Sequence, residues 1–196
     1  MVNPLIEIPE KLRANHSVFL QKIGKFFLRI TGWKIKGVFP KDNRIILVAG
    51  PHTSNWDFLL ALAVIFGLNV NVHWVGKHTL FKNGLSKIMR KLGGIPVDRA
   101  SPELLMNDIS NIVKKYQGVI IAISPEGTRK KVARLKSGFL RIAKETNSQI
   151  VLAGIDFESK SVHLGKLFQP SGQTEIDLEI VHNYFKQFKG KRPEFS

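Results

Sequence analysis

The residues best suited to chemistry in this sequence fall where apolar stretches break off. In "LVAGPHTSNWDFLLALAVIF" a strand-like run gives way to a helix-like one, and Pro51, His52, Thr53, Ser54, Asn55, Trp56 and Asp57 occupy the joint. An imidazole and a nearby carboxylate can work as a base and its orienting acid, the carboxylate fixing which ring nitrogen carries the proton. Five residues of regular helix turn through about 500°, which would leave His52 and Asp57 about 140° apart. They can meet only if His52 precedes the helix, with Thr53 or Ser54 as its N-cap and Asp57 in the first turn. The plainer reading makes Asp57 a partner of the helix dipole and His52 a turn residue. No nucleophile accompanies the pair: a "G-x-S-x-G" elbow is absent and the chain has no cysteine. Such a pair would act on a hydroxyl that the substrate brings.

Two further clusters have the same placement. In "SPEGTRKKVARLKSGF", Glu126, Gly127, Thr128 and Arg129 follow an apolar strand, and Lys130, Lys131, Arg134 and Lys136 make the surroundings positive. The planar fork of Arg129 suits a phosphate, which it can hold through two oxygens at once. A basic loop can equally be solvated surface. In "LGGIPVDR", Asp98 and Arg99 end a short strand, either as part of a site or as a structural ion pair. His73 and His78 have no third ligand in sight, so no metal site is expected.

The elements that must carry these clusters alternate. Strands are expected near Arg44 to Gly50, Asn71 to Gly76, Ile95 to Val97, Val119 to Ile123, Ile150 to Ile155 and Val162 to Phe168. Between them, helices are expected up to Leu68, up to Lys91, from Pro102 to Tyr116, and from Leu135 to Lys144. This order predicts an α/β fold with a largely parallel, mixed sheet flanked by helices. All three polar clusters then lie at the C-terminal ends of strands, where ligands gather in such sheets. The division expected is a helical segment over 1–35 and a single domain over 36–190, with "FKGKRPEFS" as a frayed end.

Within "NHSVFLQKIGKFFLRITGWKI", Phe19, Ile23, Phe26, Phe27 and Ile30 share one helical face, flanked by Lys22, Lys25 and Arg29. A helix lying in a membrane interface has this pattern, and so does one packed on its own domain. The longest apolar run, Phe58 to Leu68, falls well short of the roughly 18 residues a spanning helix needs. No secretory signal is visible at the N-terminus. Lysine and arginine number 30 against 15 acidic residues, a formal charge of +15. That balance seeks an anionic partner: nucleic acid, a membrane surface or a phosphorylated small molecule. The absence of cysteine excludes disulfides and thiolate chemistry and fits a reducing compartment.

Taken together and in order, "PHTSNWD", "GGIPVDR" and "SPEGTR" followed by "LKSGF" resemble the lysophospholipid acyltransferases, a family that includes bacterial 1-acylglycerol-3-phosphate acyltransferase. The resemblance spans roughly Gly32 to Phe157. It implies that His52 is the general base and Asp57 its orienter, and that Gly93, Arg99, Glu126, Gly127, Thr128 and Arg129 serve acceptor binding. It further implies an acyl-CoA or acyl carrier protein donor, a lysophospholipid acceptor, an anionic membrane at the inner face of which the protein works, and neither metal nor cofactor. Two features depart from the family pattern: Pro96 stands where a bulky apolar residue is more common, and "QIVLAGID" lacks a late-strand proline. A non-catalytic lipid-binding protein of the same fold and a basic nucleic-acid-binding module are the alternatives. The latter has no recognised motif here, so no nucleic acid is expected.

Overall fold

The computed structural model describes residues 6–82, 84–98 and 101–195. These form a seven-stranded sheet with helices on both faces. The strands are β1 (Lys34–Gly37), β2 (Arg44–Gly50), β3 (Val72–Lys77), β4 (Gly94–Val97), β5 (Val119–Ile123), β6 (Gln149–Asp156) and β7 (Ser161–Phe168). Their order across the sheet is β1-β7-β6-β2-β5-β3-β4. All neighbours are parallel except β6 and β7, which pair antiparallel. The helices are α1 (Val18–Thr31), α2 (Trp56–Leu68), α3 (Leu85–Lys91), α4 (Pro102–Lys115), α5 (Gly138–Thr146) and α6 (Thr174–Phe185).

Alternation along the central strands divides the core in two. Ile46 and Val48 of β2, Ile121 of β5 and Leu152 of β6 meet α4, α5 and α6 on one face. Ile45, Ile120 and Val151 point to the other, where α1 and α2 cover them. Helix α2 is apolar on nearly every side because it lies between the sheet and α1. The two helices approach closely at Gly24, where an added Cβ would lie 2.6 Å from the Ala63 carbonyl oxygen and from the Gly67 nitrogen. Ser17 caps α1 by accepting the Leu20 N–H at 3.3 Å, and Gly32 ends it in the left-handed region at φ 76°.

Four local expectations change. Strand β1 and helix α6 are additional elements. In α6, Glu175-Ile176-Asp177-Leu178-Glu179-Ile180 alternates polar and apolar residues, a period of two that conceals a helix. Helix α5 begins at Gly138 rather than Leu135, because Leu135 is buried in the core as a loop residue. The tail is not frayed: Phe188 is buried, and the Lys189 N–H donates to Asp156 Oδ1 at 3.0 Å. Pro96 lies on β4, an edge strand, where a missing N–H costs least.

Candidate active site

Strand β2 delivers the first cluster. It ends at Gly50, a cis Gly50–Pro51 peptide follows, and α2 starts at Trp56. The N-cap of α2 is Asn55, not Thr53 or Ser54; the Ser54 hydroxyl instead accepts the Trp56 N–H at 2.9 Å. This leaves His52 ahead of the helix and Asp57 in its first turn. His52 Nδ1 lies 2.9 Å from Asp57 Oδ2. The same oxygen accepts the backbone N–H groups of Thr53 and Ser54, each at 2.8 Å. An oxygen surrounded by donors in this way accepts a hydrogen bond from Nδ1–H, so Nε2 carries the free lone pair. The Asp57 side chain is 2% exposed and that of His52 31%, which hides the carboxylate and leaves the imidazole open.

Glu126 comes from the loop after β5. Its two carboxylate oxygens accept the backbone N–H of His52 at 3.0 and 3.1 Å. The residue is buried, and burial pushes its carboxyl up to about 7, with the Asp57 charge adding to the rise and the His52 N–H and imidazole opposing it. Of the acceptor residues implied by the family pattern, Glu126 is thus placed under the His52 backbone. Gly127 takes the left-handed turn beside it at φ 63°, and an added Cβ would lie 2.7 Å from Lys136 Nζ. Thr128 and the exposed Arg129 continue outward, and Val132 and Leu135 anchor the rest of the basic loop in the core.

The second cluster separates. Strand register puts Gly94 level with Trp74, Ala122 and Leu47, and Val97 level with Lys77 and hence with Gly50. Asp98 therefore follows β4 at the same end of the sheet as Pro51 and His52. Gly93 lies five residues back along the strand direction, about 16 Å away. It shapes the α3–β4 turn at φ 83°, packed so that a Cβ would lie 2.4 Å from the Val72 carbonyl oxygen. Arg99 lies outside the described residues.

A cavity of about 460 Å³ is lined by Thr53, Ser54, Asn55 and Trp56, the loop between His52 and Asp57, on one side and by Thr128, Arg129 and Lys130 on another. Arg192 and Phe195 complete its wall. A larger hollow of about 1070 Å³ lies at the opposite end of the sheet, around Arg44, Gln149 and Ile150, where no His/Asp pair is present.

A base fixed in one tautomer, at a strand end beside a cationic cavity, suits proton removal from a hydroxyl on an anionic substrate. A family model described as Acyltransferase matches residues 33–156, well over half of the chain. The chain belongs to the acyltransferase family. Among solved structures, the acyltransferase is similar to the crystal structure of a 1-acyl-sn-glycerophosphate (LPA) acyltransferase, PlsC, from Thermotoga maritima. The TM-score is 0.60 at 20% identity, over 86% of this chain and 78% of that one, a likeness of fold. No curated protein matches the acyltransferase in sequence. His52, Asp57 and Glu126 to Arg129 all fall within the matched segment, whereas Arg192 and Phe195 lie beyond it. Nothing in the sequence marks these two, because their position depends on how α6 and the tail pack.

Proposed function

We propose that the protein transfers a fatty acyl group from a thioester, acyl-CoA or acyl carrier protein, to the free hydroxyl of a lysophospholipid, with 1-acylglycerol-3-phosphate as acceptor. The observation that carries this reading is the His52–Asp57 pair, held at 2.9 Å with Nε2 left as acceptor, on the loop whose residues Thr53 to Trp56 line a cavity bearing Arg129 and Lys130. His52 Nε2 takes the hydroxyl proton as the oxygen attacks the thioester carbonyl. Asp57 stabilises the imidazolium that results. When the tetrahedral intermediate collapses, the C–S bond breaks and the departing sulfur receives the proton from His52, giving a free thiol and a new ester. Arg129 holds the acceptor phosphate, and this positioning supplies part of the rate enhancement.

The outward face of α1 supports work at a bilayer surface. Phe19, Ile23, Phe26 and Ile30 are exposed, while Gly24 and Leu28 take the face against α2. Trp56 and Leu59 of α2 are exposed as well. Among the described residues no helix is long and apolar enough to cross a membrane. In this reading α1 lies in the interface with its lysines towards anionic headgroups.

The test is thiol release from acyl-CoA in the presence of 1-acylglycerol-3-phosphate. The wild-type chain should release thiol only with an acceptor, and His52→Ala should lower the rate by at least about a hundredfold with Tm little changed. Undiminished turnover by the folded His52 variant would remove this assignment.

A further inference from the structure

The C-terminal tail, beyond the segment that the family model matches, is built into the wall of the cavity that the His52–Asp57 loop lines. Its course is fixed at successive points. Phe188 packs over Gly154 of β6, where a Cβ would lie 2.1 Å from its ring. The Phe157 N–H donates to the Lys189 carbonyl at 2.8 Å, the Lys189 N–H to Asp156 Oδ1 at 3.0 Å, and the Lys189 ammonium pairs with Glu158. The Arg192 N–H then donates to the hydroxyl of Thr53 at 3.2 Å. Thr53 is 1% exposed and adjoins His52 in sequence, so this bond ties the tail to the catalytic loop.

The Arg192 side chain is held in turn. Its Cζ lies 5.9 Å from the centre of the Phe195 ring, and both residues line the cavity that Thr128, Arg129 and Lys130 line from the other side. The cavity thus gathers three cations from two remote stretches of chain and no carboxylate. Among the described residues, none of the three has an acidic side chain within ion-pair distance. Like charges brought together without a counterion repel, and a bound anion relieves the repulsion. Two guanidinium forks around one cavity suit a phosphate group, whose several oxygens accept from more than one fork at once.

We propose that Arg192 completes, with Arg129 and Lys130, a site for a phosphate group of the substrate, so that the C-terminal tail takes part in substrate selection. The proposal rests on the acyltransferase reading for the identity of the substrates. Two sources share this chemistry: the phosphomonoester of the acceptor and the phosphates of the acyl-CoA donor.

The experiment compares the full-length wild type with Arg192→Gln and Arg192→Lys. Steady-state rates are measured against 1-acylglycerol-3-phosphate, against monoacylglycerol as an acceptor without phosphate, and against acyl-CoA. Melting temperature and calorimetric titration with glycerol 3-phosphate run alongside. If the acceptor supplies the phosphate, Arg192→Gln raises its KM roughly tenfold or more, with kcat and the KM for acyl-CoA much less affected. Monoacylglycerol use is then unchanged, the titration weakens, and Arg192→Lys recovers only part of the loss because it lacks the fork. A KM rise confined to acyl-CoA supports the site and assigns it to the donor. If the wild type transfers no acyl group but Arg192→Gln still weakens the titration, the phosphate site stands and the acyltransferase reading fails. The proposal is overturned by unchanged KM values and titration, or by a uniform loss on every substrate with a lowered Tm, which would make the tail a structural strap alone.

Discussion

Glu126 shows how a single residue combines stability with geometry. Folding transfers its carboxyl from a usual value of 4.5 to about 7, so the folded state retains a proton that the unfolded chain releases. Stability from this group is therefore undiminished below about pH 4.5, falls as pH rises towards 7, and levels off above it. At about 1.4 kcal/mol per pKa unit the cost reaches about 3 kcal/mol. Glu126→Gln retains an oxygen for the His52 N–H without the ionisation, so denaturant melts should show its stability relative to wild type rising by up to about 3 kcal/mol between pH 4.5 and 8. Glu126→Ala leaves the His52 N–H without this acceptor and should lose activity that Glu126→Gln largely keeps. The contact between His52 and Asp57 was legible in sequence because a first-turn carboxylate can meet an imidazole that precedes the helix. That Glu126 would turn inward under His52 was not, since "SPEGTR" reads the same whether its carboxylate faces the solvent or the backbone of another strand end.

Elements were legible where their residues carry one clear period. Strand β2, with Ile45 and Ile46 facing opposite cores, and strand β5 have the expected bounds, whereas α6 hides behind its strand-like alternation. For α1 the pattern allowed two answers, and the structure divides the helix between a packed and an exposed face: Leu28 is 1% exposed, while Phe19 and Phe26 are 71% and 63% exposed. Phe27, expected on the same outward face, is instead half-buried against the second core. Changing Phe19 and Phe26 together to serine should therefore leave Tm nearly unchanged and weaken sedimentation with vesicles by at least about tenfold, given roughly 1.5 to 3 kcal/mol per fully buried aromatic. Leu28→Ala should do the reverse, lowering stability by about 2 to 5 kcal/mol. A lowered Tm with unaltered vesicle binding in the double variant would end the interfacial assignment of α1.

Across the whole molecule, the charge of +15 pointed to an anionic partner, but composition has no direction, and only the packed chain brings Arg129, Lys130 and Arg192 around one cavity. The membrane component of that charge should be salt-sensitive: binding to vesicles rich in anionic lipid should fall steeply as ionic strength rises from about 0.05 to 0.5 M, with the residual binding close to that on neutral vesicles. Equal affinity for both vesicle types at low salt would show that the charge serves only soluble ligands. The close approach of α1 to α2 at Gly24 has a geometric consequence. Asp57 belongs to α2 and holds His52, so the apolar stripe of α1 and the imidazole are linked through the packed α1–α2 helix pair. Once α1 is docked, the height of His52 above the bilayer plane is set by the thickness of that pair. The enzyme would then act as a depth gauge, choosing among hydroxyls by how far each stands out of the lipid surface as well as by what it is attached to.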